Sequence, residues 1–219
     1  MPLNKQKGNM YGFVTHTWNT IKGACPHNCE YCYMKRFGKQ SELHFDEKEL
    51  KTDLGNGNFI FVGSSCDMFS DSIPEEWIGR TLEHCEMSTS NEYLFQTKNP
   101  AKLLLLNDFD ITDYTTCITL ETNRENNLNH APKRADRVTM FSSISLPKMI
   151  TIEPIMDFSL GLFLTYLQYS EVSQINIGAN TNRKVQLPEP PKEKVLELIS
   201  ELEKFTKVHL KKNLGRLLK

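Results

Sequence analysis

Phe59-Ile-Phe-Val-Gly63, Ser72-Ile-Pro-Glu75 and Tyr93-Leu-Phe-Gln-Thr97 together decide the fold. The first and last are short runs of β-branched and aromatic residues, apolar on both faces or nearly so, as buried parallel strands are. Between them, Ser72 to Glu75 has the spacing of a capping box with proline in the first turn, which predicts a helix through about Glu86. Strand, helix and strand in succession form a βαβ unit, whose crossover is right-handed.

The same alternation extends in both directions. Upstream lies Phe13–Trp18; downstream lie Thr115–Leu120, Met149–Ile152, Gln174–Ile177 and Lys207–Leu210. Helices are expected from Asn99-Pro100 through the leucine run Leu103–Leu106, from Pro132 to about Ser145, and from Asp157 to about Tyr169. A last one, Pro191 to Phe205, puts Val195, Leu198, Ile199, Leu202 and Phe205 on one face. A closed eight-unit barrel takes about 250 residues, or about 31 per unit. The 219 residues therefore predict an incomplete, open parallel α/β barrel of six or seven β-α units, in one domain spanning residues 1–219. Leu187-Pro-Glu-Pro-Pro191 reads as a loop, with no linker to divide the chain.

Composition narrows the function classes. Hydrophobic residues make up 39% and charged residues 24%, values of a globular protein with a real core. No apolar stretch approaches the roughly 20 residues of a membrane span, and Met1–Gly8 has no apolar leader pattern. A soluble cytoplasmic protein is expected. A net charge of −1 argues against non-specific coating of nucleic acid and leaves room for a local basic patch. Lys204, Lys207, Lys211, Lys212, Arg216 and Lys219, in an acid-free stretch of the tail, are candidates for phosphate contact, with Lys133, Arg134 and Arg137 as an extension.

Three of the six cysteines stand close together in Trp18-Asn-Thr-Ile-Lys-Gly-Ala-Cys25-Pro-His-Asn-Cys29-Glu-Tyr-Cys32-Tyr33, a loop of about residues 19–36 after the first strand. Spacing C-x3-C-x2-C lets three thiolates each hold one iron of a [4Fe–4S] cluster, leaving one iron open to another ligand. The competing reading is a zinc- or cluster-binding module without catalysis, a nucleic-acid adaptor, with His27 or His16 completing a Cys3His zinc set. Against zinc, no second C-x2-C or H-x3-H pair exists. Cys85 and Cys117 read as small core residues, and Cys66 follows a strand end where site residues of such barrels stand.

With Cys25, Cys29, Tyr31 and Cys32 in the pattern C-x3-C-x-aromatic-C, the sequence resembles the radical S-adenosylmethionine superfamily. Trp18-Asn19, Phe61–Asp67, Gln96–Pro100, Ile152-Glu-Pro154 and Ile177-Gly178 resemble a small phage-associated branch of it, mostly without assigned reactions. The resemblance implies an enzyme that cleaves S-adenosylmethionine reductively to a 5′-deoxyadenosyl radical, which abstracts hydrogen from a substrate. It implies an external electron donor of flavodoxin or ferredoxin type, and a nucleotide, nucleic acid or small metabolite as substrate. Tyr31 then matches the aromatic position beside adenine. Ser65 and Asp67 stand where the superfamily often has a Gly-Gly-Glu that binds the amino group. Glu121 and Arg124 would meet the ribose and the carboxylate, and Asn180 ends another strand at the mouth. No acid, base or radical relay is singled out; Cys66, Lys98 and Glu153 are the candidates.

Overall fold

The computed structural model describes residues 3–219; Met1 and Pro2, the start of the segment read above as free of a leader, lie outside the described residues. Ten strands and four α-helices follow one another. They are β1 (Asn4–Lys5), β2 (His16–Trp18), β3 (Ile21–Lys22), β4 (His44–Phe45), β5 (Phe59–Val62), α1 (Glu75–Glu86), β6 (Glu92–Thr97) and β7 (Tyr114–Thr119), then α2 (Arg134–Ser142), β8 (Lys148–Ile152), α3 (Leu160–Tyr169), β9 (Gln174–Ile177), α4 (Lys192–Leu202) and β10 (Lys207–Leu210). Eight strands form one sheet in the order β1-β2-β5-β6-β7-β8-β9-β10, and β3 pairs with β4 in a separate ribbon. From β2 to β10 every pairing in the large sheet is parallel; only β1 runs antiparallel, on the edge of β2. The sheet stays open between β1 and β10. This is the open α/β barrel that the alternation predicts.

Strand residues alternate between two cores, as the two-residue pleat demands. Ile60, Val62, Tyr93, Phe95, Ile118, Ile150 and Ile175 face outward to the helices, where Ile78 and Leu82 of α1, Phe163 of α3 and Val195 of α4 meet them. Phe61, Leu94, Cys117 and Met149 face inward, where Tyr11 and Val14 close over them. An open barrel would leave that inner face wet. The segment before β2 fills it, which is why β2 spans only His16–Trp18 although the apolar run begins at Phe13.

Three local expectations give way to tertiary packing. Ser72 caps nothing: Pro74 precedes the first turn of α1, and no side chain bonds there. The helix after Asn99 is a 3-10 helix, Pro100–Asp108, with about three residues per turn. Leu103 and Leu106 are therefore buried and Leu105 packs against the core, while Leu104 turns outward. α4 ends at Leu202, and Phe205 lies beyond it, partly exposed. Among the described residues, no helix is long and apolar enough to cross a membrane.

Candidate active site

The carboxyl ends of the parallel strands open into a cavity of about 460 Å³. Parallel α/β folds place their chemistry at this end. Cys25, Cys29 and Cys32 line one side, on the loop leaving β2, together with Cys66. All six cysteines are free thiols, and the three of the motif are partly exposed.

Two polar clamps hold this loop. Nε2 of His27, which is buried between the first two cysteines, lies 2.9 Å from Asp67 Oδ2. Asp67 Oδ2 also accepts from Thr97 Oγ1 at 3.0 Å and from the Lys98 amide at 2.7 Å, and its Oδ1 accepts from the Phe69 amide at 3.1 Å. Burial acts to raise the Asp67 carboxyl, but His27 and the Lys98 amide outweigh it and hold it below the ordinary carboxylate range. The second clamp is Asn19, whose Oδ1 accepts from the Ser65 amide at 2.9 Å and from the hydroxyls of Ser65 and Ser64 at 3.0 and 3.2 Å. Gly63 (φ +76°) makes the turn beneath them, where a Cβ would stand 3.2 Å from Met68 and the backbone is strained for any side chain.

The Cys25 and Cys66 thiols influence one another. The neighbouring Cys66 brings the Cys25 thiol down to about 6 against the effect of burial, and Cys25 together with burial pushes Cys66 up. Burial also pushes Cys29 up, against the pull of Lys98. A thiolate near neutrality is what a metal or cluster ligand requires. Among the described residues, no three His, Cys, Asp or Glu side chains converge closely enough to hold one metal ion. His27 is engaged by Asp67, and His16 by Thr15. Three cavity-lining thiols that do not meet at a point fit a cluster, in which each thiolate binds a different iron, better than a tetrahedral zinc.

Behind the loop lies a buried charge network centred on Glu121, whose side chain has no exposure. Arg137 stands 3.1 Å from it, Lys98 3.3 Å and Arg134 3.8 Å. The Tyr31 hydroxyl donates to it, and Asn129 donates to the same hydroxyl at 3.0 Å. Burial alone would raise the Glu121 carboxyl; Lys98, Arg137 and Arg134 bring it down to about 2. Glu121 therefore stands behind the cavity wall and not in it, because these groups consume its oxygens. Arg124 also lies away from the cavity, half-exposed and paired with Asp157. Tyr31, Ser65, Cys66, Asp67, Lys98, Glu153 and Asn180 do line it. Asn180 spends its side chain on its own loop, donating to the carbonyls of Asn182 and Val185 at 3.0 and 2.8 Å.

Across the cavity, Glu153 receives Lys211 at 2.5 Å, Asn9 at 2.7 Å and Asn213 at 2.8 Å. The Gly178 Cα lies against this carboxylate: an added Cβ would sit 2.6 Å from Oε1. Lys211 Nζ lies 4.3 Å from the centre of the Tyr11 ring, whose hydroxyl donates to Gln96 at 2.7 Å. Gln96 in turn donates to Thr119 at 3.0 Å. Sequence reasoning missed Tyr11, Lys211 and the clamping role of His27. Lys211 read as one more charge of a basic tail, and only the end of β10 could have pointed it inward. Half of the tail's six cations are already paired: Lys204 with Glu201, Lys211 with Glu153 and Arg216 with Glu189. Arg134 and Arg137 are buried on Glu121.

No family model matches the chain, and no curated protein is similar to it. Among solved structures, the fold matches spore photoproduct lyase. A cysteine-to-alanine mutant of that protein with a dinucleoside spore photoproduct gives a TM-score of 0.67 at 11% identity, covering 95% of this chain and 80% of that one. A double mutant with bound AdoMet and the same dinucleoside gives 0.67 at 10% identity over the same shares. At such identity the likeness is one of fold.

Proposed function

We propose that this chain is a radical S-adenosylmethionine enzyme. The observation that carries it is the C-x3-C-x2-C triplet, Cys25, Cys29 and Cys32, lining a cavity at the carboxyl ends of an open parallel barrel. These three thiolates would hold a [4Fe–4S] cluster. When bound, the cluster and S-adenosylmethionine supply one-electron cleavage to a 5′-deoxyadenosyl radical, which takes a hydrogen atom from the substrate.

This chain's residues supply placement. The His27–Asp67 and Asn19–Ser65 clamps fix the cysteine loop against β5 and β6. Ser65, Asn180 and the backbone about Tyr31 border the cavity and are assigned to S-adenosylmethionine. Glu121 acts through Tyr31 and Lys98, and Arg124 steadies Asp157 outside. Cys66, Lys98 and Glu153 remain the candidates for contact with reacting atoms, since each reaches the cavity. An external one-electron donor of flavodoxin or ferredoxin type completes the system, and the need for reduced thiols fits a cytoplasmic location. A nucleotide or nucleic acid is the preferred substrate class, supported by a fold shared with a protein solved with a dinucleoside and AdoMet. The motifs about Trp18-Asn19 and Gln96–Pro100 favour the phage-associated branch.

The test is anaerobic reconstitution with iron and sulfide, then incubation with dithionite and S-adenosylmethionine. About four irons per chain and formation of 5′-deoxyadenosine are expected, with Cys29→Ala abolishing both. A colourless zinc protein, or cleavage at the normal rate by Cys29→Ala, overturns the assignment.

A further inference from the structure

The cavity has an outer lip that the cofactor chemistry does not use. It is the 3-10 turn Tyr33–Phe37, directly after the third cysteine. Gly38, at φ +93°, ends the turn and leaves Phe37 standing out from it. Phe37 lines the cavity yet is 71% exposed, more than any other aromatic ring among the described residues. A single exposed ring is ordinary on a protein surface; the charges around this one are not.

Four cations line the cavity: Lys7, Arg36, Lys98 and Lys211. The inner two are neutralised, Lys98 by Glu121 and Lys211 by Glu153. The outer two, Arg36 next to Phe37 in the turn and Lys7 elsewhere on the rim, pair with no carboxylate among the described residues. Arg36 donates only to the carbonyls of Tyr33 and Thr181, each at 3.3 Å, and Lys7 is exposed on the segment opposite. Lys35 and Lys39 extend the same turn, and no acidic residue lies between Glu30 and Glu42. In a protein whose net charge is −1, this is a local reversal of sign around an exposed ring at the entrance to a cavity.

We propose that this lip docks single-stranded nucleic acid, with a base stacked on Phe37 and phosphates on Lys7, Arg36 and Lys39. The function proposed above gives the docked strand its purpose, but the docking itself needs neither cluster nor radical. Charge decides for a polyanion. The ring decides for an unpaired strand, because only an unstacked base offers it a face, and interleaved cations and aromatics are how such strands are held. No helix stands out at the lip to enter a duplex groove. The tail lysines are a weaker alternative, since three of its six cations already have carboxylate partners.

The test is fluorescence anisotropy of a labelled oligothymidylate and of a duplex of equal length, titrated with the reconstituted protein over a range of potassium chloride. No reductant or S-adenosylmethionine is present, so the outcome is independent of the cleavage assay. The wild type is expected to bind the single strand more tightly than the duplex. Phe37→Ala should weaken that binding about tenfold. Joint replacement of Lys7, Arg36 and Lys39 by glutamine should reduce the salt slope by about 2. All four side chains are exposed, so the variants fold, which circular dichroism checks. Unchanged affinity in Phe37→Ala, an unchanged slope in the triple variant, tighter duplex binding or no binding each overturns the assignment. So does a slope lowered instead by neutralising Lys207, Lys212 and Lys219.

Discussion

Replacing Glu121 by glutamine removes one negative charge from a dry site that holds three positive ones. Lys98, Arg137 and Arg134 lie 3.3, 3.1 and 3.8 Å from the Glu121 oxygens. At an effective dielectric of about 20, each attraction amounts to about 5 kcal/mol before desolvation. Burial takes back several kcal/mol per ion. The net margin appears in the carboxyl itself, brought from 4.5 to about 2, which corresponds to about 3 kcal/mol. Glutamine keeps the shape and loses that margin, and it leaves Arg137, which has no exposure, beside two other cations. Among the described residues, only the half-exposed Glu125, on Arg134, remains as a counter-charge to the two arginines. A loss of about 3–5 kcal/mol is expected at pH 7. The pH dependence follows from the direction of the shift: a depressed carboxyl stabilises the fold above its unfolded value and loses that stabilisation as pH falls toward its folded value. The wild type therefore loses about 1.4 kcal/mol of this advantage by pH 3.5, and the gap between the two proteins narrows by that amount. Urea unfolding followed by tryptophan fluorescence at both pH values measures it. A difference below about 1 kcal/mol at pH 7, or one that ignores pH, would refute the picture of a net-stabilising buried network.

Other changes separate packing from positioning. Gly178→Ala puts a Cβ 2.6 Å from Glu153 Oε1, a carboxylate fixed by three partners; it should cost about 1–3 kcal/mol and lower Tm by roughly 5 °C. Tyr11→Ala empties the plug of the inner barrel and should cost about 3–5 kcal/mol in the same unfolding assay. His27→Ala frees the loop between Cys25 and Cys29 from Asp67; iron bound after reconstitution should fall well below that of the wild type, and full iron retention would show that the clamp is dispensable.

The outward face of the fold was legible in the sequence, because β5 through β9 and the apolar face of α4 follow periods that packing does not override. The inner face was not. Phe13 and Val14 look like strand residues, and only an unfilled barrel turns them into a plug. The leucine run after Asn99 has apolar character but no period, so a 3-10 helix and an α-helix were indistinguishable until Leu104 faced water. In the site, the cysteine triplet announced itself by spacing. Glu121 and Arg124 do follow a strand end, but neither faces the cavity, because side-chain partners elsewhere in the sequence draw both away from it. Lys211 was hidden for the same reason, since its partner Glu153 lies 58 residues upstream.

The carboxylate of Glu153 joins segments that lie far apart in the sequence. Asn9 reaches it from before β2, Lys211 and Asn213 from after β10, and the backbone amide of Asn213 also binds Asn9 across 204 residues. Contacts so distant in sequence form late, after the loops between them have closed. During folding Glu153 thus lacks these partners until β10 has docked beside β9, and the cavity has no far wall before then. Glu153 works as a latch: the cavity is completed only when the segment before β2 and the segment after β10 have met on it.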